Sequence, residues 1–334
     1  MNIRFKTYLL LVSFAAGFAA CSKDSVESPD DGNKNNTQTQ MLAFDVGKIQ
    51  LSDSRTTETP YNTSDYYLPD KDSIGISVED APPVSGVYSY SNVKYVASGI
   101  GTGQTWQNPD KDNLIALKKD SAHVSAYHPY NKNTNPLAIS MNCLSGIDYL
   151  YAPYKAWTSS GRLYWADSYA HIKLSHAQAI IIFSYEADGY TGAGQLTQSE
   201  VGGGAIGMQG TLNSTTGAIT DISGSYVRSY ASPKALPTTS GTTEYLDSIY
   251  VIPTGSATGK VSFKLTIDGT DFKVDSPVKV LKRGYIYYFP LRNKGVGKEL
   301  VVGEVSIWPW NTLAMPQINI IDDLVYIKAG IPIP

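Results

Sequence analysis

Few residues in this 334-residue chain can do covalent or metal chemistry: it has two cysteines and four histidines. Cys21 stands where an apolar stretch meets a polar one. Arg4 and Lys6 precede an apolar run from Tyr8 to Phe18, the small pair Ala19-Ala20 follows, and from Ser22 onward Asp, Asn and Ser dominate. This is the order of parts in an export signal, and the run is too short to span a bilayer. A Cys directly after two small residues reads as a lipobox. Residues 1–20 are then cut away, and the Cys21 thiol carries diacylglycerol, with a third acyl chain often added at the new amino terminus. More than one chain gives stable anchoring. Phe18, where Leu is usual, favours the alternative of an ordinary secretory signal that happens to contain a Cys.

The other reactive side chains fit no catalytic or metal pattern. With Cys21 acylated, Cys143 has no partner for an intrachain disulfide, so stability must come from apolar burial. Cys143 also lacks a nearby C-x-x-C or a His/Asn signature and reads as a buried structural thiol. His123 and His128, like His171 and His176, are separated by odd spacings in expected strands. Each pair therefore points to opposite faces and cannot close on one metal without a bulge. Asp322-Asp323 splits between two faces in the same way. The sequence contains no G-x-S-x-G elbow, no H-E-x-x-H, no phosphate loop and no EF-hand loop. Gly101-Thr102-Gly103 lacks the strand and helix of a dinucleotide loop and reads as a turn. No catalytic residue, cofactor or metal is expected. Removing residues 1–20 takes away Arg4 and Lys6 and moves the net charge from −3 to −5, a mildly acidic balance that argues against nucleic acid.

The elements that must carry any function read as strands. Residues 21–40 have almost no apolar content and are expected to be a disordered tether. Beyond them, short alternating or β-branched runs lie between Gly, Pro, Asn and Asp clusters, and the 3.6-residue apolar period is nearly absent. The clearest runs are 42–51, 73–78, 93–97, 122–127, 171–185, 245–252, 261–274, 285–291 and 300–308. Asp268-Gly269 joins two arms of a hairpin through a type I′ turn. Phe263, Leu265 and Ile267 share one face of the first arm, and Phe272 and Val274 share one face of the second. The strands group on either side of a break near 159–168, which predicts two β-sandwich domains, 41–168 and 169–334. Residues 188–243, rich in Gly, Ser and Thr, are expected to be long loops and short edge strands. The 24 tyrosines against 8 phenylalanines suit sheet surfaces where a ring is half buried and its hydroxyl stays wet.

Several segments together resemble the fimbrillins, lipoprotein pilins and fimbrillin-like adhesins of Bacteroidales. They are the lipoprotein signal and Asp/Asn-rich tether, a strand ending at Ser54-Arg55-Thr56, and Val124-Ser125-Ala126-Tyr127-His128-Pro129-Tyr130. Asp148-Tyr149-Leu150-Tyr151-Ala152 and Leu174-Ser175-His176-Ala177-Gln178-Ala179 follow in order. The closing motifs are Gly284-Tyr285-Ile286-Tyr287-Tyr288-Phe289 and Val305-Ser306-Ile307-Trp308. Lys23-Asp24, directly after Cys21, resembles part of the signal that sends some lipoproteins to the cell surface. Asp72-Ser73-Ile74, Asp120-Ser121-Ala122 and Asp247-Ser248-Ile249 resemble the O-glycosylation tripeptide of the same bacteria.

The resemblance implies two transthyretin-like sandwiches and a subunit of a surface fimbria, with other fimbrial subunits and the outer membrane as partners. It also implies a cut by an arginine-specific protease, here between Arg55 and Thr56, that frees the strand 41–51 with Leu42, Phe44 and Val46 on one face. Strand addition from another subunit would refill the groove. The candidate donor is 318–331, with Ile318, Ile320, Leu324 and Tyr326 on one face and Ile321, Val325 and Ile327 on the other. That pattern equally suits a final strand folded within its own domain. The alternative reading is a monomeric, surface-anchored module for a glycan or host ligand, with Trp106, Trp157 and Trp165 stacking on sugars rather than packing in the core. A surface hydrolase would need a cleft of perturbed carboxylates, and no segment points to one.

Overall fold

The computed structural model describes residues 40–41, 43–47, 68–80, 89–99, 104–110, 115–117, 121–158, 169–276, 280–294 and 299–310. Cys21, the expected tether up to residue 39, Leu42, Arg55, Thr56, Gly101–Gly103, Trp165 and the stretch 318–331 lie outside the described residues, while Gln40, at the end of the expected tether, opens a strand. In chain order the first strands are β1 (Gln40–Met41), β2 (Ala43–Gly47), β3 (Ser73–Asp80), β4 (Ser89–Ser98) and β5 (Thr105–Gln107). They are followed by β6 (Ala116–Leu117), β7 (Ser121–His128), β8 (Ile139–Asn142) and β9 (Leu150–Thr158). Between β8 and β9 lies a single 3-10 turn, Cys143–Ser145, whose cap Asn142 accepts the Leu144 N–H.

A six-stranded antiparallel sheet runs β9-β7-β3-β4-β5, with β11 (Ser175–His176) outside β9. Its register explains its core. Ile74 opposes Tyr95, Ile76 lies between Val93 and Ala126, Val78 opposes Val124, and Ala97 opposes Trp106. Paired positions point the same way, so these residues form one buried face. Leu68, Ile115, Ile172 and Leu174 complete this smaller core.

The rest of the chain builds a larger core. After β10 (Tyr169–Lys173), which pairs with β2, its strands are β12 (Ala179–Asp188), β13 (Gln195–Gly202), β14 (Ile206–Gly207), β15 (Gln209–Leu212), β16 (Ile219–Ser223), β17 (Tyr226–Ala235) and β18 (Thr243–Pro253). The last are β19 (Ser262–Ile267), β20 (Thr270–Asp275), β21 (Tyr285–Lys294), β22 (Glu299–Val302) and β23 (Ser306–Pro309). The central sheet has the order β14-β18-β12-β21-β22, with β23 also on β21; β12 and β21 are parallel. A four-stranded sheet, β17-β13-β19-β20, covers one face. There Phe263 packs between Phe183 and Phe289, with ring centroids 5.7 and 5.1 Å away. The opposite face meets the sheet β16-β15-β8, where a side chain on Gly210 would come within 3.1 Å of Ile252. A strand covered on both sides needs no polar alternation, and Ala179 through Tyr185 are all buried.

The described residues are all-β, in line with the sequence reading. The two cores do not divide at one point in the chain. Tyr127, Ile139, Met141, Cys143 and Tyr149 belong to the larger core, whereas Ile172 and Leu174 belong to the smaller. β8 reaches across to pair with β15, placing Ile139 opposite Leu212 and Met141 opposite Gly210. Residues 188–243 differ from the expected loops, since β13 is an inner strand of the four-stranded sheet. Its core face carries Leu196, Ser199 and Val201, and the buried Ser199 interrupts the apolar alternation that would have marked it.

The hairpin expected at Asp268-Gly269 joins β19 to β20, with φ of 50° and 75° at the two turn residues. The Asp268 carboxylate also anchors the 190–195 loop. It accepts the Tyr190 hydroxyl at 2.6 Å and the Gly194 and Gln195 N–H groups at 3.0 and 2.8 Å. Partial burial works against its ionised form. The bonds from Tyr190 and from the Gln195, Gly194 and Ala193 amides outweigh that and hold the carboxyl below the usual Asp value. A depressed carboxyl stabilises fully above its unfolded value and progressively less as pH falls through the folded one.

Two outcomes follow from this packing. Phe263→Ala is expected to lower unfolding free energy by about 3–5 kcal/mol, measured by urea titration. Asp268→Asn lowers the melting temperature at pH 7, and the gap to wild type closes as pH falls below about 4; a gap independent of pH would rule out the carboxylate's role.

Candidate functional site

The segment expected to be removable occupies an unusual place in the pairing scheme. β2 runs parallel to β10, with Phe44 opposite Ala170 and Val46 opposite Ile172. β1 runs antiparallel to β6, with Gln40 opposite Leu117 and Met41 opposite Ala116. Among the described residues each of these is a two-stranded sheet. Residues 40–47 therefore pair two strands that no other described strand pairs. The core behind them is apolar: Ile172 on β10 and Leu174 just after it are buried with Ile74, Ile76 and Leu150. Nothing in this geometry performs a reaction; it can hold a strand or release one.

Chain leaving β10 passes directly into a junction between the two cores. His176 on β11 is buried, its Nδ1 3.0 Å from the Asp148 carboxylate. Its ring stacks on Trp310 at 3.8 Å and 6°, and Trp310 stacks in turn on Tyr250 at 5.4 Å. Arg283 forms a second tie. Its guanidinium donates to the Gly217 carbonyl at 2.6 Å and lies over the Tyr151 ring on β9. Gly217 has φ of 73°, and a Cβ there would collide with the Tyr151 ring, so only glycine fits the turn and the contact at once.

Other sequence candidates fall on several elements. Trp106 is only 7% exposed and packs in the smaller core, which removes it from any sugar platform. Trp157 lies on β9. Cys143 is buried and accepts a hydrogen bond from Gln178 at 3.2 Å. Burial pushes its thiol up to about 12, so it stays protonated and unreactive. His128 lies 3.6 Å from Asp72, while His123 and His171 sit on β7 and β10. Among the described residues no three His, Cys, Asp or Glu side chains converge as a metal site. In two of the Asp-Ser tripeptides the carboxylate accepts the next N–H: Asp72 from Ser73 at 2.8 Å and Asp247 from Ser248 at 2.9 Å. Both serines are half buried. Sequence reasoning missed the part played by β6, because a two-residue strand has no period to detect.

An all-β chain with two apolar cores, the smaller one closed by an N-terminal strand, is the class of protein that this geometry defines. A model of the fimbrillin-like family matches residues 54–310, and the chain belongs to that family. It is similar to a putative cell adhesion protein from Bacteroides uniformis, at 15% identity over 81% of this chain and 99% of the other, with a TM-score of 0.49. For a putative cell adhesion protein from Bacteroides ovatus the values are 19%, 80%, 98% and 0.48. For the tip fimbrial protein Mfa3 from Porphyromonas gingivalis, with C-terminal truncation, they are 13%, 72%, 95% and 0.38. No curated protein matches the chain.

The parallel register has a direct test. Phe44→Cys combined with Ala170→Cys is expected to form a disulfide under mild oxidation, seen as a gel shift that reductant reverses. Phe44→Cys with Lys173→Cys, out of register, should form little. Equal yields from both pairs would contradict the pairing.

Proposed function

We propose that this chain is a structural or adhesive subunit of a cell-surface fimbria, exported as a lipoprotein through Cys21 and assembled by protease-triggered strand exchange. Family membership supports the fimbrial role. The observation that carries the assembly step is that residues 40–47 pair both β6 and β10, strands with no other described pairing partner. A cut after Arg55 leaves these residues tied to the rest by non-covalent contacts alone. Their departure opens two strand edges over an apolar core, and open edges are templates for another chain. It also uncovers side chains such as Ile172, at about 1.5–3 kcal/mol each. A strand from a second subunit restores the pairing and covers the core again. Residues 318–331 are the candidate donor, with Ile318, Ile320, Leu324 and Tyr326 entering the groove.

On this reading the outer membrane holds the precursor through its lipid, the fimbrium holds the mature subunit, and neighbouring subunits are its principal partners. Host or bacterial surface ligands belong to its adhesive role. The role requires no catalytic group or cofactor.

Amino-terminal sequencing of surface-exposed protein, with and without an arginine-specific protease, is the decisive measurement. A mature start at Thr56 is expected only with the protease, and Arg55→Ala should keep the lipidated Cys21 start and remain unpolymerised. Locking β2 to β10 through the in-register disulfide should block polymerisation even after the cut. Lipidated Cys21 under both conditions, or polymer growth from the locked chain, would remove this route. Polymerisation that survives deletion of 318–334 would exclude that stretch as donor.

A further inference from the structure

The face of the central sheet away from Phe263 changes character along its length. Across β18, β12, β21 and β23 its rows are Tyr250, Ile180, Ile286 and Trp308, then Ser248, Ile182, Tyr288 and Ser306. Beyond the bulge in β18 come Tyr245, Ser184 and Pro290, and finally Thr243, Glu186 and Arg292. The first row lies toward the β15 sheet and Trp310. One ring from each of three successive rows adjoins the next: Trp308, Tyr288 and Tyr245 are partly buried, with centroid spacings of 6.4 and 6.2 Å and 33° between neighbouring planes. The Tyr288 hydroxyl is 2.7 Å from the Ser184 hydroxyl on the adjacent strand. That bond draws the Tyr288 ring toward β12, on the same face as the buried Ile182.

We infer that Tyr245, Tyr288 and Trp308 form a stacking platform for a neutral oligosaccharide built of hexopyranose units. A pyranose presents a face of C–H groups, and aromatic faces carry negative quadrupole potential that attracts them. Neighbouring ring planes differ by 33°, which suits a chain of sugar units, each free to turn on the next, better than it suits one flat aromatic ligand. Hydroxyl groups at the sugar edge find a donor and an acceptor in the Arg292–Glu186 ion pair, 2.7 Å apart and on the same face. Charge selects the class of ligand. On the rows of this face the charged side chains are Arg292 and Glu186, and each neutralises the other. A surface whose charges cancel in pairs favours neither a polyanion nor a polycation. The platform does not involve β2, β6 or β10, so sugar binding does not depend on strand exchange.

The test uses the full, unpolymerised chain and three soluble probes, cellohexaose, mannohexaose and maltohexaose, followed by titration calorimetry and tryptophan fluorescence. At least one probe is expected to bind. Trp308→Ala and Tyr288→Ala should each weaken it by about tenfold or more, whereas Trp308→Phe and Tyr288→Phe keep a ring and retain most of the affinity. The Phe variants separate stacking from folding if an Ala variant melts early. Failure of all three probes, Ala variants that bind like wild type, or preference for oligogalacturonate would overturn the proposal. So would binding that appears only when residues 311–334 are removed, because that result assigns the face to the chain's own end. Each of these outcomes leaves the amino-terminal sequencing result untouched.

Discussion

The backbone of every strand needs a partner on each side that water does not reach, and the segment 40–47 meets this need for two strands at once. β6 and β10 differ in direction relative to it, one antiparallel and one parallel, so the same short stretch closes two separate seams. The smaller core includes Ile172 of β10, one of those two strands. Its six-stranded sheet presents one continuous apolar face, and Ile172 and Leu174 press on it from the side to which β2 is paired. The larger core is closed differently, since its central sheet is sandwiched between two others and its parallel β12–β21 pair lies at the middle. One core thus lies beside a strand from the amino end, and the other is enclosed by layered sheets.

The two cores are also bound to each other by chain that crosses between them. β8 and the 143–149 turn leave the first sheet to pack in the larger core, and the 172–174 stretch returns to the smaller. Arg283, Tyr151 and Gly217 lock one crossing, while Asp148, His176 and Trp310 lock the other. A hydrogen-bonded or stacked contact of this kind resists sliding more than apolar packing does, because it is directional.

Much of the fold was legible where local pattern and burial agree. Phe263, Leu265 and Ile267 announce a face by strict alternation, and Asp268-Gly269 announces the turn through its backbone preference. The unbroken Ala179–Phe183 run signals a strand buried on both sides. Partner choice was not legible. The apolar run tells that β12 is buried on both faces but not that β21 lies beside it in parallel, and the pairing of β2 with β10 was equally hidden. β13 was hidden by polar residues at core positions, Ser199 above all. Burial of Trp106 depended on its register opposite Ala97, which no local signal reports. The aromatic row was hidden for a similar reason: Tyr245, Tyr288 and Trp308 come from three distant strands, and a bulge in β18 sets the first of them on the shared face.

The stack of His176 on Trp310 has a mechanical meaning. It joins β11, which follows β10 within two residues, to Trp310 more than a hundred positions later, so a pull applied between these two places in the chain would pass across two rings. The load would fall on a small patch of Asp148, His176, Trp310 and Tyr250, and most of the larger core would stand beside the line of pull.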